Sequence, residues 1–105
     1  MIGIDGKFRA NFDGLKLTYI HIDGGSLVDS SCIGTNFSNS KISNVDFTGS
    51  NLTNANFKNC DLTNSTFKNC ILKETYFGGA NLDSVEFDEG MSVNENGYVE
   101  RENND

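Results

Sequence analysis

The chain has 105 residues, 36% of them hydrophobic, and a formal net charge of −7. This length allows one small domain with a thin core. The charge argues against direct binding to nucleic acid or to an anionic membrane, because both are themselves negative. No run of about twenty apolar residues is present, so no membrane-spanning helix is expected.

The cysteines and the start of the sequence indicate a reducing compartment. Three cysteines without paired spacing argue against a zinc site or a disulfide framework. Residues 1–7 also lack the apolar segment of a secretory signal. We therefore expect a cytoplasmic location.

The first predicted element is an N-terminal cap over residues 1–9. These residues precede a five-residue repeat, and Lys7 stands where the repeat would place a large apolar residue. The regular pattern therefore begins at Phe8 or Ala10. A solenoid exposes its core and unpaired backbone groups at both ends, so we expect residues 1–7 to fold over the first coil.

The second element is the repeat itself. From Phe12 to Phe87 every fifth residue is apolar over sixteen consecutive positions, which a chain that is 36% hydrophobic does not produce by chance. Two places before each large residue stands a residue that is mostly small. A period of five fits neither the 3.6 residues of a helix turn nor the alternation of a strand. The large residues are Phe12, Leu17, Ile22, Leu27, Cys32, Phe37, Ile42, Phe47, Leu52, Phe57, Leu62, Phe67, Leu72, Phe77, Leu82 and Phe87.

A square coil explains this period, because four units then close one turn of twenty residues. The large residue and the small residue would point inward, and the polar residue between them outward. Gly or Asn ends most units and tolerates the corner geometry. Columns twenty residues apart predict stacked rings on two opposite sides and aliphatic residues on the other two. The ring columns are Phe37, Phe57 and Phe77, and Phe47, Phe67 and Phe87.

Several units resemble a known repeat family. Residues 55–59 (ANFKN) and 80–84 (ANLDS) resemble the A(D/N)LXX units of pentapeptide-repeat proteins, and the resemblance covers about residues 8–90. It implies an all-β fold, a right-handed quadrilateral β-helix of about four coils. We place this pentapeptide-repeat solenoid at residues 10–90.

The last predicted element is an acidic C-terminal cap or tail over residues 91–105. The repeat ends after Phe87, because Ser92 and Gly97 stand where large residues would follow. Asn96-Gly97 between alternating residues is a hairpin signal. A capping hairpin and a frayed tail both stay open at this point, and residues 102–105 are expected to be disordered.

No catalytic, metal-binding or cofactor-binding set is predicted. His21, the single histidine, occupies an outward position without a Ser/His/Asp or Cys/His arrangement around it. Cys32, Cys60 and Cys70 occupy inward positions, where thiols are expected to be inert. We therefore predict a protein that is not an enzyme, needs no cofactor or metal, and acts through its surface.

The negative charge is confined to the C-terminal part. Residues 1–82 hold seven acidic and seven basic residues, whereas residues 83–105 hold eight acidic residues and one base, Arg101. Such a surface suits a protein partner that has a basic, nucleic-acid-binding surface of its own. The candidate partner-binding residues are Asp83, Glu86, Asp88, Glu89, Glu95, Glu100 and Glu102.

The resemblance also implies a function. Pentapeptide-repeat proteins similar to this one include inhibitors of DNA gyrase and topoisomerase, whose rods match the width and negative surface of B-form DNA. The implied role is an acidic DNA mimic that binds and inhibits a DNA-binding protein or a host defence complex. The alternative is an interaction scaffold without a nucleic-acid-related target, since many family members have no assigned activity.

The family resemblance further implies a homodimer through one end of the rod. Joining the C-terminal ends would pool the two acidic ends, and apolar contacts would have to offset their repulsion. Joining the other ends would leave an acidic region at each tip, and both arrangements stay open. The expected dimer contacts are Tyr76, Met91, Val93, Tyr98 and Val99.

Overall fold

The computed structural model describes residues 9–102, and every regular element within them is a β-strand or a β-bridge. Strands β1 (His21–Ser26) and β2 (Lys41–Asp46) pair in parallel. Strands β3 (Met91–Val93) and β4 (Val99–Arg101) pair antiparallel. Isolated bridges at regular intervals hold the rest of the chain together.

Four columns of parallel bridges build the body of the molecule. Within a column, successive partners lie twenty residues apart, and neighbouring columns start five residues apart, so each coil has four sides. The all-β repeat solenoid predicted from the sequence is confirmed. The coils comprise residues 10–29, 30–49, 50–69 and 70–89, called coils 1 to 4. The first side carries bridge residues 11, 31, 51 and 71; the second, 16, 36, 56 and 76; the third, 21, 41, 61 and 81; and the fourth, 26, 46, 66 and 86.

Phenylalanine rings fill the interior from the second and fourth sides. Phe57 stacks on Phe37 and Phe77 with ring centroids 4.9 and 5.2 Å apart, and Phe47 stacks on Phe67 at 5.0 Å. Rings from the two opposite sides meet edge to face, as Phe57 and Phe67 do at 5.6 Å and 77°. The predicted aromatic stacks are confirmed, and their offset and edge-to-face contacts are the favoured ring geometries.

The large inward residues of coils 2 and 3 are sealed from solvent, whereas those of the end coils are not. On the aliphatic sides, Ile42, Leu52 and Leu62 have no exposed surface. In coils 1 and 4 only Phe77 is buried, and the other large inward residues are half-buried. The predicted N-terminal cap lies outside the described residues, except for Arg9. The half-buried residues are Phe12, Leu17, Ile22, Leu27, Leu72, Leu82 and Phe87.

The corners explain the Gly and Asn that end most units. The last residue of a unit has a positive φ, such as +60° at Asn54, and a turn hydrogen bond joins the Ala55 amide to the Leu52 carbonyl at 2.9 Å. Asn and Gly accept this backbone conformation at low cost. Four corners adopt it with residues other than Asn and Gly: Tyr19, Asp29, Glu74 and Ser84.

The small inward residues add a second set of bonds between coils. The Ser65 hydroxyl donates to the Ile42 carbonyl at 2.9 Å, and the Cys60 thiol donates to the Phe37 carbonyl at 2.9 Å. The same bond to the residue 23 positions earlier recurs at Thr35, Ser40, Ser50, Cys70 and Thr75. No buried side-chain nitrogen or oxygen in residues 9–102 lacks a hydrogen-bond partner. The interior therefore tolerates these polar residues because each is paired.

Strands β3 and β4 form a hairpin that packs onto coil 4, as the Asn96-Gly97 pair predicts. Tyr98 bridges Tyr76 in antiparallel fashion, and the Phe77 amide donates to the Gly97 carbonyl at 2.7 Å. Val93 and Val99 pack against the core. The expectation of disorder is wrong for Glu102, whose amide donates to the Gly90 carbonyl at 2.6 Å, while residues 103–105 lie outside the described part.

Candidate functional site: the acidic C-terminal end

The acidic end consists of the last two sides of coil 4 and the hairpin. Asp83 lies on the third side, Glu86 on the fourth, and Asp88 and Glu89 at the corner that follows. Because the chain turns a corner after every five residues, these carboxylates lie around the open end of coil 4, called the rim, instead of along one side. All of them except the half-buried Asp88 are exposed.

One part of the rim brings three of the predicted acids together. Asp88, Glu89 and Glu102 line an open depression of about 580 Å³, together with Gly90 and Arg101. The guanidinium of Arg101 donates to the Met91 sulfur at 3.5 Å. The depression is therefore a negative concavity with one cation at its edge.

Asp88 also has a structural role that sequence reasoning missed. In earlier units the last amide bonds a backbone carbonyl of the next coil, as Asn64 does with Asp83 at 3.0 Å. At the end of coil 3 the Asn69 amide instead donates to the Asp88 carboxylate at 2.9 Å. The side chain thus replaces its own carbonyl at the point where the chain leaves the repeat. The visible signal was an acid at the last unit before the repeat fails.

The hairpin acids lie apart from this group. Glu95 lines a second depression of about 370 Å³ between the hairpin and coil 4. The Glu100 carboxylate accepts a bond from the Asn94 amide group at 3.3 Å. Asp83 and Glu86 line neither depression. The seven predicted acids therefore share one end of the molecule without forming a single cluster.

The residues predicted to make dimer contacts pack within the chain. The rings of Tyr76 and Tyr98 lie 5.2 Å apart, and Tyr98 keeps 40% of its surface exposed. Val93 and Val99 contact the core, and Met91 is half-buried. These five residues thus lie in the hairpin and at its junction with coil 4.

Gly97 is a residue of this end that the sequence identified only as part of a turn. It is buried, with a φ of +90°, and a Cβ atom there would lie 2.7 Å from the Tyr76 ring and 3.0 Å from the Gly78 nitrogen. Only glycine therefore fits between the hairpin and coil 4 without displacement.

The histidine and cysteines offer no activated nucleophile. His21 is exposed on the third side. Burial raises the pKa of the Cys60 thiol to about 11 and that of Cys70 to about 12, and it also raises the pKa of Cys32. The thiols therefore stay protonated near neutral pH, and a protonated thiol is a poor nucleophile. Within the described ranges no three His, Cys, Asp or Glu residues are grouped so that they can hold a metal ion.

Two carboxylates of the repeat body accept hydrogen bonds from neighbouring residues of the coils. Hydrogen bonds from the side chain and amide of Thr63 lower the pKa of Asp61. Bonds from Asn44 and Ser43 lower the pKa of Asp23. Such bonds favour the ionised form and hold the carboxylate in place.

The part of the chain from residue 9 to residue 102 contains no helix with the length and apolarity to cross a membrane.

The family model described as a pentapeptide repeat region matches residues 8–77. Among solved structures, the chain is similar to the pentapeptide repeat protein Rfr23 from the cyanobacterium Cyanothece 51142. The identity is 17% over 76% of this chain and 85% of that protein, with a TM-score of 0.45.

It is also similar to HetL from the cyanobacterium Nostoc sp. strain PCC 7120, a protein involved in heterocyst differentiation regulation. The identity is 14% over 81% of this chain and 43% of HetL, with a TM-score of 0.36. A pentapeptide repeat protein of the Arabidopsis thaliana thylakoid lumen shares 23% identity over 76% of this chain and 63% of that one, with a TM-score of 0.24.

The chain therefore spans less than half of HetL and less than two thirds of the Arabidopsis protein. A comparison with curated proteins finds no match. Because the family model covers two thirds of the sequence, this chain belongs to the pentapeptide-repeat family.

Proposed function

We propose that this chain is a non-enzymatic protein-binding solenoid whose acidic C-terminal end mimics DNA. It binds the basic, nucleic-acid-binding surface of a protein partner and thereby excludes duplex DNA from it. Pentapeptide-repeat proteins are generally non-catalytic, and a role in protein interaction is the function that the family supports. The acidic end adds a specific kind of partner to that role.

The separation of charge along the molecule carries this proposal. Residues 9–82 hold six acidic and six basic residues, whereas residues 83–102 hold seven acidic residues and one base. The neutral body and the acidic end are parts of one rod. A concentrated charge at one end produces a field that attracts basic surfaces over about a Debye length.

The charge density of the acidic end is comparable to that of DNA. Coil 4 and the hairpin occupy two strand spacings, about 10 Å of the solenoid axis. Duplex DNA carries about one charge per 1.7 Å, or about six over that length. The end carries seven acids and one base, a net charge of −6 from residues 83–102. The match is confined to a short stretch, so the expected target is a compact basic site.

Competition with duplex DNA tests this function. The chain would be titrated against purified basic DNA-binding proteins, with DNA gyrase among them, at increasing salt concentrations. We expect binding that duplex DNA displaces and that weakens as salt rises. The double variant Glu86→Lys and Glu89→Lys should abolish it, and both residues are exposed. The matched control, Asp29→Lys with Glu74→Lys, reverses two exposed corner acids outside residues 83–102.

A scaffold without a nucleic-acid-related target is the second candidate. Exposed apolar residues at coils 1 and 2 favour it: Tyr19 is 79% exposed, and Leu15 and Ile33 are exposed as well. A partner bound there would be insensitive to salt and to duplex DNA. Binding that both double variants leave unchanged would contradict the DNA-mimic function and support the scaffold.

A further inference from the structure

Among residues 9–102, nothing pairs with the β-edge on the third side of the last coil. One coil earlier, the Leu62 amide donates to the Asn81 carbonyl at 3.0 Å, and the Asn81 amide donates to the Cys60 carbonyl at 2.8 Å. The equivalent groups of coil 4 are the amides of Leu82 and Ser84 and the carbonyl of Ala80. No residue between 9 and 102 pairs with these three groups. A strand that lay along this edge would satisfy all of them.

The second side shows that the edge of coil 4 accepts an added strand. There the hairpin occupies the position of a further coil, through the Tyr76–Tyr98 bridge and the bond from the Phe77 amide to Gly97. The hairpin covers this side and leaves the third side open. Within residues 9–102, this coil therefore has one extended edge, on its second side, and unpaired edges on its first, third and fourth sides.

The aliphatic column of the third side lacks a residue that covers its last member. Ile42 and Leu62 have no exposed surface, whereas Leu82, the next residue of the column, is half-buried. Leu82 and Ala80 line the depression of about 370 Å³ beside Val93 of the hairpin. An aliphatic side chain placed over Leu82 would continue the column and exclude water from this depression.

We propose that the third-side edge of coil 4 binds an extended basic segment of a partner protein by β-augmentation. The segment has an aliphatic residue between two lysines or arginines. The first basic residue bonds Ala80 and Leu82 through its backbone, the aliphatic residue packs over Leu82, and the second basic residue faces Asp83. This inference rests on the proposed function and names the form in which the basic partner is recognised.

Charge complementarity selects this occupant. Asp83 is exposed in the turn that directly follows Leu82, beside the second basic residue in the proposed register. Glu95 lies on the rim of the depression. A neutral or acidic strand would form the same backbone bonds without these attractions, and it would meet carboxylates at both places.

Hydrogen exchange with a synthetic peptide tests the geometry. The probe is a short, end-capped peptide with the central sequence Lys-Ile-Lys. On binding, the Leu82 and Ser84 amides should exchange at least about tenfold more slowly, because both become hydrogen-bonded. The Phe77 amide, already bonded to Gly97, should not change.

Two N-methylated peptides provide a matched pair with equal charge. Methylation of the first lysine amide removes the donor to Ala80 and should weaken binding at least about tenfold. Methylation of the isoleucine amide, which points away from the edge, should leave binding unchanged. Equal binding of both peptides would overturn β-augmentation.

Protein variants test the charge contribution. The double variant Asp83→Lys and Glu95→Lys should weaken binding of the peptide about tenfold at low salt. Glu74→Lys on the same coil is the control, since Glu74 lies outside the depression, and it should have little effect.

The outcomes separate this inference from the proposed function. Salt-dependent peptide binding that leaves Leu82 and Ser84 unprotected would overturn the edge site and keep an acidic end that acts by charge alone. Protection of both amides together with no DNA-displaceable protein target would support the edge site and overturn the DNA-mimic function. Protection of both amides in the free protein, with sedimentation as a dimer, would assign the edge to a second copy and overturn the inference.

Discussion

Coils 2 and 3 and the acidic end obey the same repeat and differ in what covers them. Phe57 and Leu62 have neighbours above and below and no exposed surface, whereas Phe87 and Leu82 have a neighbouring coil on one side only and are half-buried. Each coil contacts its neighbours along the axis, as in other repeat solenoids. The middle of the rod is therefore covered on both faces, whereas the large inward residues of the end coil keep part of their surface exposed.

The corners show the same difference. Coil 3 has Asn at all four corners, each with a positive φ. Coil 4 has Glu74, Gly79 and Ser84 in that conformation, and its last corner shifts to Gly90. The repeat loses regularity in the coil where charge, unpaired backbone and the hairpin meet.

The largest effect should come from removing a ring in the middle. Phe57→Ala removes two stacked contacts at 4.9 and 5.2 Å and should lower the free energy of unfolding by about 3–5 kcal/mol. Phe87→Ala at the end should cost less, about half as much, because Phe87 is only partly buried and has a coil on one side only. Urea denaturation of both variants measures the difference. Equal losses would mean that the end is packed as tightly as the middle.

A smaller, local effect is expected where the hairpin meets coil 4. Gly97→Ala places a Cβ atom 2.7 Å from the Tyr76 ring and should destabilise this junction by about 1–3 kcal/mol. Hydrogen exchange should accelerate at the Phe77 amide while amides of coils 2 and 3 keep their protection.

Gly90→Ala is the matched control for this variant. Gly90 also has a positive φ, +79°, but a Cβ atom there meets nothing within 4 Å. It should show the backbone cost alone and leave Phe77 protected. Faster exchange throughout coils 2 and 3 in Gly97→Ala would show that the junction and the middle unfold together.

The smallest effect should be a stabilisation of coil 4. Glu74→Asn gives this corner, with a φ of +57°, the residue that coil 3 uses at all of its corners, and should add about 0.5–1 kcal/mol. Lys73→Asn, at the neighbouring position without a positive φ, should add nothing. The thermal midpoints of the two variants give the comparison. A gain from Lys73→Asn of the same size would exclude the corner geometry as the cause.

The coil architecture was predictable because it follows from a single period. Residues five apart share an environment and residues twenty apart share a column, so the stacking of Phe37, Phe57 and Phe77 follows from spacing alone. The hairpin was predictable only in part. Asn96-Gly97 specifies a turn. Whether the hairpin docks or stays a free tail depends on the packing of Val93 and Val99 against the core, which the turn does not determine.

The acidic end was less accessible to sequence reasoning. Composition locates the charge after Leu82, but the rim arrangement depends on which side each residue reaches. The bond between the Asn69 amide and the Asp88 carboxylate forms where the repeat stops. The repeat pattern predicts contacts between regular units, so it could not predict this bond. The unpaired edge at Leu82 likewise depends on which sides the hairpin leaves open.

The alternation of ring sides and aliphatic sides limits how such a gene can change in length. Loss of five codons within the body would move every downstream phenylalanine of the two ring columns to an aliphatic side. Loss of ten would move these rings from one aromatic side to the opposite one, so that rings would still stack on rings. Duplication or deletion in steps of ten therefore preserves the interior, so rods of different lengths can arise from one ancestral sequence by recombination between its own repeats.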